Sequence, residues 1–170
     1  GNPFAAGIKP NAQLERGRAL VDRGRGLRGG TDRVREYLEA AARLYDGYSE
    51  LDQRTRVAAY RDAMGRLAAR HPQDDEAAIF HALSIAIAAD PNDKTYDALR
   101  RSAEILNRLS ARLPNHPGIA HYLIHAYDVP ALAAKGLPAA NRYATIAPTS
   151  SHALHMPSHT FTRVGYWKES

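Results

Sequence analysis

Six of the eight histidines in the chain fall between positions 116 and 159, and five of these form two tight sets. His121 and His125 are four residues apart, which on a helix puts both imidazoles on one face about a turn apart. Asp128, three residues further on, continues that face. His152, His155 and His159 stand at i, i+3 and i+7, again a single stripe. The two sets are related by an offset of 34 residues: the stretch from Pro117 to His125 aligns with the stretch from Ser151 to His159, pairing His121 with His155 and His125 with His159. Two short-spaced pairs on neighbouring parallel helices can converge on one point, which is the geometry a metal ion requires. The predicted ligand set is therefore His121, His125, His152, His155 and His159, with Asp128 as a further ligand or as the group that orients one. Imidazole and carboxylate without sulfur suit zinc, copper(II), nickel or iron(II), and disfavour copper(I) and calcium. Three ligands and an open position would permit a bound hydroxide and hydrolysis, whereas a saturated set would indicate a structural or storage site.

Other chemistries are weaker in this sequence. Between His121 and His125 stand Tyr122, Leu123 and Ile124, so the glutamate of a metalloprotease helix is missing. The imidazoles also fit hydrogen-bond ladders or packing without any ion. His71 and His116 each precede a proline, where capping and surface roles prevail. His81 lies on an apolar helix and reads as a hydrogen-bonded core histidine. Tyr122 and Tyr127 read as packing residues with a polar tip. Ser150, Ser151 and Ser158 neighbour histidines, but no strand–turn–helix elbow surrounds them, and Ser151 reads more naturally as a helix cap. With no cysteine, thiolate zinc sites, iron–sulfur clusters and disulfides are excluded.

The histidines sit in a chain of ordinary composition. Its 170 residues are 44% hydrophobic and 24% charged, which rules out wholesale disorder and fits one domain or a short row of repeats. The longest apolar stretch, Ala77 to Ala89, is interrupted by His81 and Ser84 and is too short to span a bilayer. No basic-then-apolar segment opens the chain, and the leading glycine suggests processing or truncation. A soluble cytoplasmic or periplasmic protein is expected, with no membrane partner. The net charge of +5 lies wholly in residues 1–70, with 14 Lys and Arg against 9 Asp and Glu. Arginines such as Arg33, Arg35 and Arg43 are interspersed with Glu36 and Glu39, the pattern of a solvated helix face rather than a phosphate-tracking stripe. Nucleic acid is not expected as a partner.

Ala, Leu, Arg and Glu dominate and β-type alternation is absent, so the fold class predicted is all-α. Asn11 can cap a helix running toward Arg25, weakened by Gly17, Gly24 and Gly26. After Gly29-Gly30, Thr31 caps a second helix with apolar positions Val34, Leu38, Ala41, Leu44 and Tyr45, ended by Asp46-Gly47. Ser49 with Asp52 resembles a capping box for a third, closed by His71-Pro72. Asp74 or Asp75 opens a helix through Glu76 to Ala89, and the turn Asp90-Pro91-Asn92-Asp93 leads to another from about Thr95 to Arg112. Further helices are expected over 118–127, from Pro138 to Ile146, and from Ser150 or Ser151 to Val164, with an extra turn over 130–135. Pro157 must either start a helix or kink one.

Helix pairs joined by proline turns with a 34-residue period resemble tetratricopeptide repeats. Phe161 to Ser170 looks like the turn between the two helices of that repeat, with Gly165 and Trp167 in place. Ala139, Tyr143, Ile146 and Pro148 resemble its second helix. The resemblance covers about residues 72–170, and the histidine-rich segments are similar to a bacterial subgroup of the family without an established activity. It implies a helical-hairpin solenoid or a fragment of a longer array, with residues 1–70 as a divergent repeat or cap and 71–170 as repeats ending in a half-repeat. Gly1-Asn2-Pro3-Phe4 looks like the tail of an earlier helix. The resemblance also implies that the histidine stripes face a concave groove for a peptide, protein or small ligand. Three functions are then open: metal binding in that groove, a metal-free interaction scaffold, or a metal-dependent hydrolase or oxygenase. Trp167 ends the chain without a capping helix, which predicts self-association or a further segment at the C-terminal edge.

Overall fold

The computed structural model describes residues 11–170, and among these every regular element is helical. The expected helix tail at Gly1–Phe4 lies outside the described residues. In chain order the helices are α1 (Asn11–Gly26), α2 (Asp32–Ala42), α3 (Gln53–Arg70), α4 (Asp75–Ile87), α5 (Asp97–Arg112), α6 (Pro117–Tyr127), α7 (Leu137–Ile146), α8 (Ser151–His155) and α9 (Pro157–Val164). Among the described residues one 3-10 turn, Ala133–Gly136, precedes α7 and overlaps the extra turn expected over 130–135. The described residues form two compact units, one ending at Ala88 and the other running from Ala89 to Ser170. The sequence places a change of character at 70/71; α4 belongs with the first unit, where it packs against α3.

Helix starts follow side-chain oxygens that accept orphan backbone N–H groups. Thr31 accepts from Val34, Asp52 from Thr55 at 2.7 Å, Asp74 from Ala77 at 3.2 Å and Ser150 from Ala153 at 3.4 Å. Asp52, not Ser49, is thus the cap of α3. The second helix also ends earlier than Asp46-Gly47, at Ala42, because residues 43–51 turn back over α3. Arg56 explains that turn: it is 5% exposed and donates to the carbonyls of Leu44, Tyr48 and Leu51, so one guanidinium fixes the whole loop.

In the first unit Ala40, Leu44, Val57, Tyr60, Met64, Leu67 and Ala77 form one apolar cluster between α2, α3 and α4. The glycines that weaken α1 as a helix serve its packing. A Cβ on Gly17 would lie 2.0 Å from Tyr45 Cε1, and one on Gly24 2.9 Å from Leu38 Cδ1. Gly17→Ala should therefore lower stability by about 1–2 kcal/mol through overpacking, although alanine is the better helix former. In a Tyr45→Ala background the same change should become stabilising, and thermal denaturation of the four variants checks the reversal.

In the second unit α6 packs on α5 and α7, and α7 on α8 and α9. Ala120, Ile124, Ala140, Tyr143, Ala153, Met156 and Phe161 make its apolar cluster. Pro157 resolves as the start of a helix. Met156 keeps helical dihedrals, but with no proline N–H the ladder breaks there, and His159 N–H bonds one residue short, to Met156 O at 3.2 Å. The stretch from Ser151 to Val164 is therefore two helices meeting at Met156, with His152 and His155 on the first and His159 on the second. Gly165 ends α9 at φ 83°, a left-handed cap that glycine adopts without strain. Beyond it Trp167 is 70% exposed, and Tyr166 and Leu154 are also exposed.

Candidate metal centre

Helix phase separates the faces of α6. Ile119, Ala120, Leu123, Ile124 and Ala126 are buried, and His121 and His125 stand on the remaining face with the i, i+4 relation their spacing predicts. On the other side of the site Ala153, Met156, Thr160 and Phe161 are buried, leaving His152, His155 and His159 at the margin. Burial of the apolar residues thus obliges the two histidine stripes to emerge together. Contacts between them run in one direction along both segments: His121 meets His152, and Asp128 meets His159, each across 31 residues.

All five histidines of the two stripes come together. His121 Nε2 lies 3.0 Å from His125 Nε2 and 3.1 Å from His152 Nε2. His155 Nε2 lies 3.1 Å from His159 Nε2. The rings of His125 and His159 meet edge to face with centroids 6.3 Å apart, joining the two groups. His159 Nδ1 contacts Asp128 Oδ2 at 3.1 Å, and Arg163 donates to Asp128 Oδ1. Tyr143 from α7 stacks on His121, centroids 5.5 Å apart and planes 11° from parallel.

With each imidazole neutral, the contacts assign the ring hydrogens. A carboxylate only accepts, so His159 presents Nδ1–H to Asp128 and its Nε2 is left as a lone pair. His155 then donates through Nε2–H. At the other group the single lone pair of a neutral His121 Nε2 accepts from His125 or His152, one at a time. As the side chains stand, the nitrogens are paired by hydrogen bonds, and no three or more His, Asp and Glu groups among the described residues are arranged to hold a metal ion.

His121 is shifted furthest in basicity. Burial, followed by the neighbouring imidazoles of His125, His152 and His159, pushes its pKa down to about 4. His125 keeps an open edge to solvent, yet crowding by protein atoms and then His159 lowers its pKa also, against the opposing pull of Asp128. Near pH 7 His121 is therefore neutral, the form that ligates metals. The folded chain holds fewer protons here than the unfolded chain between about pH 4 and 6.5. Its stability is fully present above pH 6.5 and is lost as pH falls toward 4. With chelator present, acidification from pH 7.5 to 4.5 should cost of order 1 kcal/mol through His121 once solvent screening of the half-exposed ring is allowed for. His121→Phe, which can still stack on Tyr143, should show a smaller drop in melting temperature over that range. Equal drops would remove His121 as the cause.

The remaining histidines lie elsewhere. His71 pairs with Glu36 Oε2 at 2.7 Å in the first unit. His81, also there, abuts Gly65, whose added Cβ would lie 3.1 Å from His81 Nε2. His116 caps α6, its Nδ1 accepting from Ile119 N–H at 3.3 Å. A small cavity of about 80 Å³ in the second unit is lined by Asn107, Tyr127, Lys135 and Arg142 and includes none of the five clustered histidines. Two members of the site escaped sequence reasoning. Arg163 continues the His152–His155–His159 stripe by one more turn, a visible signal; Tyr143 carries none beyond its place as a repeat position.

Family models, curated proteins and solved structures were compared, and none matches. The site must therefore be read from its own chemistry. No helix among the described residues is long and apolar enough to cross a membrane.

Proposed function

We propose that this chain is a helical-repeat protein of tetratricopeptide type that binds a divalent transition metal through its imidazole cluster. The observation that supports this most is the convergence of five imidazoles from separate helices, with neighbouring Nε2 atoms 3.0–3.1 Å apart. Ligand nitrogens about 2.1 Å from one ion are separated by about 3.0–3.4 Å at right-angled or tetrahedral positions, so each contacting pair has the separation of adjacent ligands, although its lone pairs do not yet share a point. Binding requires His125, His152 and His155 to move any ring hydrogen from Nε2 to Nδ1 and turn their lone pairs toward an ion. Rotation about side-chain torsions achieves this at an exposed margin without disturbing the core. Zinc, copper(II), nickel and iron(II) remain the metals suited to such donors. Titrating zinc alone into tag-free protein at pH 7.5 should raise the melting temperature, by about 2.7 kcal/mol of stabilisation at a hundredfold excess over Kd. No shift with any of the four metals would refute the reading.

A second reading, a metal-free scaffold that binds a protein or a second copy of the chain, draws support from exposed Leu154, Tyr166 and Trp167. Scattering that reports a monomer, with Trp167→Ala leaving stability unchanged, would count against it.

A further inference from the structure

We infer that the cluster is a two-ion site, with one ion held by His121, His125 and His152 and a second by His155 and His159. This rests on the metal-binding reading above and adds to it the number of ions and their division. In the first group His121 is the shared member, its ring centroid 4.8 Å from that of His125 and 4.8 Å from that of His152, and in the second His155 and His159 are 5.0 Å apart. Two imidazoles on one ion have centroids about 4.6–5.3 Å apart at right-angled or tetrahedral positions, and about 6.5 Å only when they stand opposite each other. The 6.3 Å between His125 and His159 thus falls outside the range of adjacent ligands and marks the seam between the groups. Five imidazoles also exceed the four positions of a tetrahedral ion.

The groups differ in how they are prepared. His121, His125 and His152 supply three nitrogens and leave one coordination position open. His155 and His159 supply two, and Asp128, itself held by Arg163, fixes His159 in the tautomer whose Nε2 is a lone pair. Asp128 is thereby a positioning residue: both its oxygens are engaged, Oδ2 with His159 and Oδ1 with Arg163. The three-nitrogen group should bind first and more tightly, and the second ion should follow at higher metal concentration.

Calorimetric titration of the intact, tag-free chain with zinc chloride at pH 7.5 tests the division. Two ions per chain in two resolvable steps are expected. His152→Gln should remove or weaken the tighter step at least tenfold and leave the other, and His155→Gln should do the reverse. Both side chains sit at the exposed margin, and unchanged helical circular dichroism of each variant without metal shows that it has folded. A single ion per chain, lost equally in both variants, would overturn the two-ion inference while keeping metal binding. No uptake of zinc would overturn both.

Discussion

Replacing His121 and His125 together with alanine is expected to abolish most of the stabilisation that zinc confers on the first group of ligands. His121 is the hub: its Nε2 is within 3.1 Å of two other imidazole nitrogens, and its pKa of about 4 keeps it unprotonated at any pH near neutrality. Removing two of three ligands leaves a lone His152, and a single exposed imidazole holds a divalent ion too weakly to stabilise the fold measurably. The expected loss is about 2 kcal/mol or more of metal-linked stability at a hundredfold excess over the wild-type Kd. His71→Ala and His116→Ala serve as controls, since His71 pairs with Glu36 in the first unit and His116 caps α6. His116→Ala should cost about 1 kcal/mol without metal and change nothing in the response to metal. Melting curves with zinc and with chelator separate the two effects, and equal zinc shifts in wild type and double variant would refute the assignment.

The second large effect is expected at Asp128. Its carboxylate binds no ion in this arrangement but holds His159 through Nδ1. Loss of such an orienting group typically weakens metal affinity 10–100-fold. Asp128→Ala should weaken the ion held by His155 and His159 by about that factor and leave the ion at His121 within a few-fold. Asp128→Asn keeps an acceptor for His159 and should recover part of the loss. A merely structural role would lower the melting temperature of the metal-free protein in step with affinity. Because Arg163 and His159 both lie at the surface, that temperature should hardly change in Asp128→Asn.

Much of this arrangement was legible in the residues. Capping side chains and proline turns placed most of the helices, because a Thr, Asp or Ser before an apolar period satisfies N–H groups that nothing else in the local chain can reach. The i, i+4 spacings placed the two members of each pair on one face. What could not be read was the finer register. The offset pairs His121 with His155, whereas its partner across the helices is His152, and Asp128 meets His159, so the contacts follow a 31-residue register on both sides of the break at Met156–Pro157. The expectation that His121, His125, His155 and His159 share one point took the 34-residue sequence offset for the register of the contacts. Tertiary contacts also decided the end of α2, where Arg56 captures three carbonyls, and the tolerance of α1 for Gly17, which Tyr45 requires. Neither is visible in local periodicity.

The electronic spectrum of the tag-free protein titrated with cobalt(II) at pH 7.5 tests the central claim most directly, because it reports the ligand field itself. Coordination by imidazoles at the cluster predicts visible d–d bands, stronger than those of the hydrated ion, that grow with added cobalt and disappear on adding zinc. The same bands should be missing from the His121→Ala/His125→Ala/His155→Ala variant. A spectrum indistinguishable from hydrated cobalt in the wild-type protein, or bands that survive in that variant, would contradict the account.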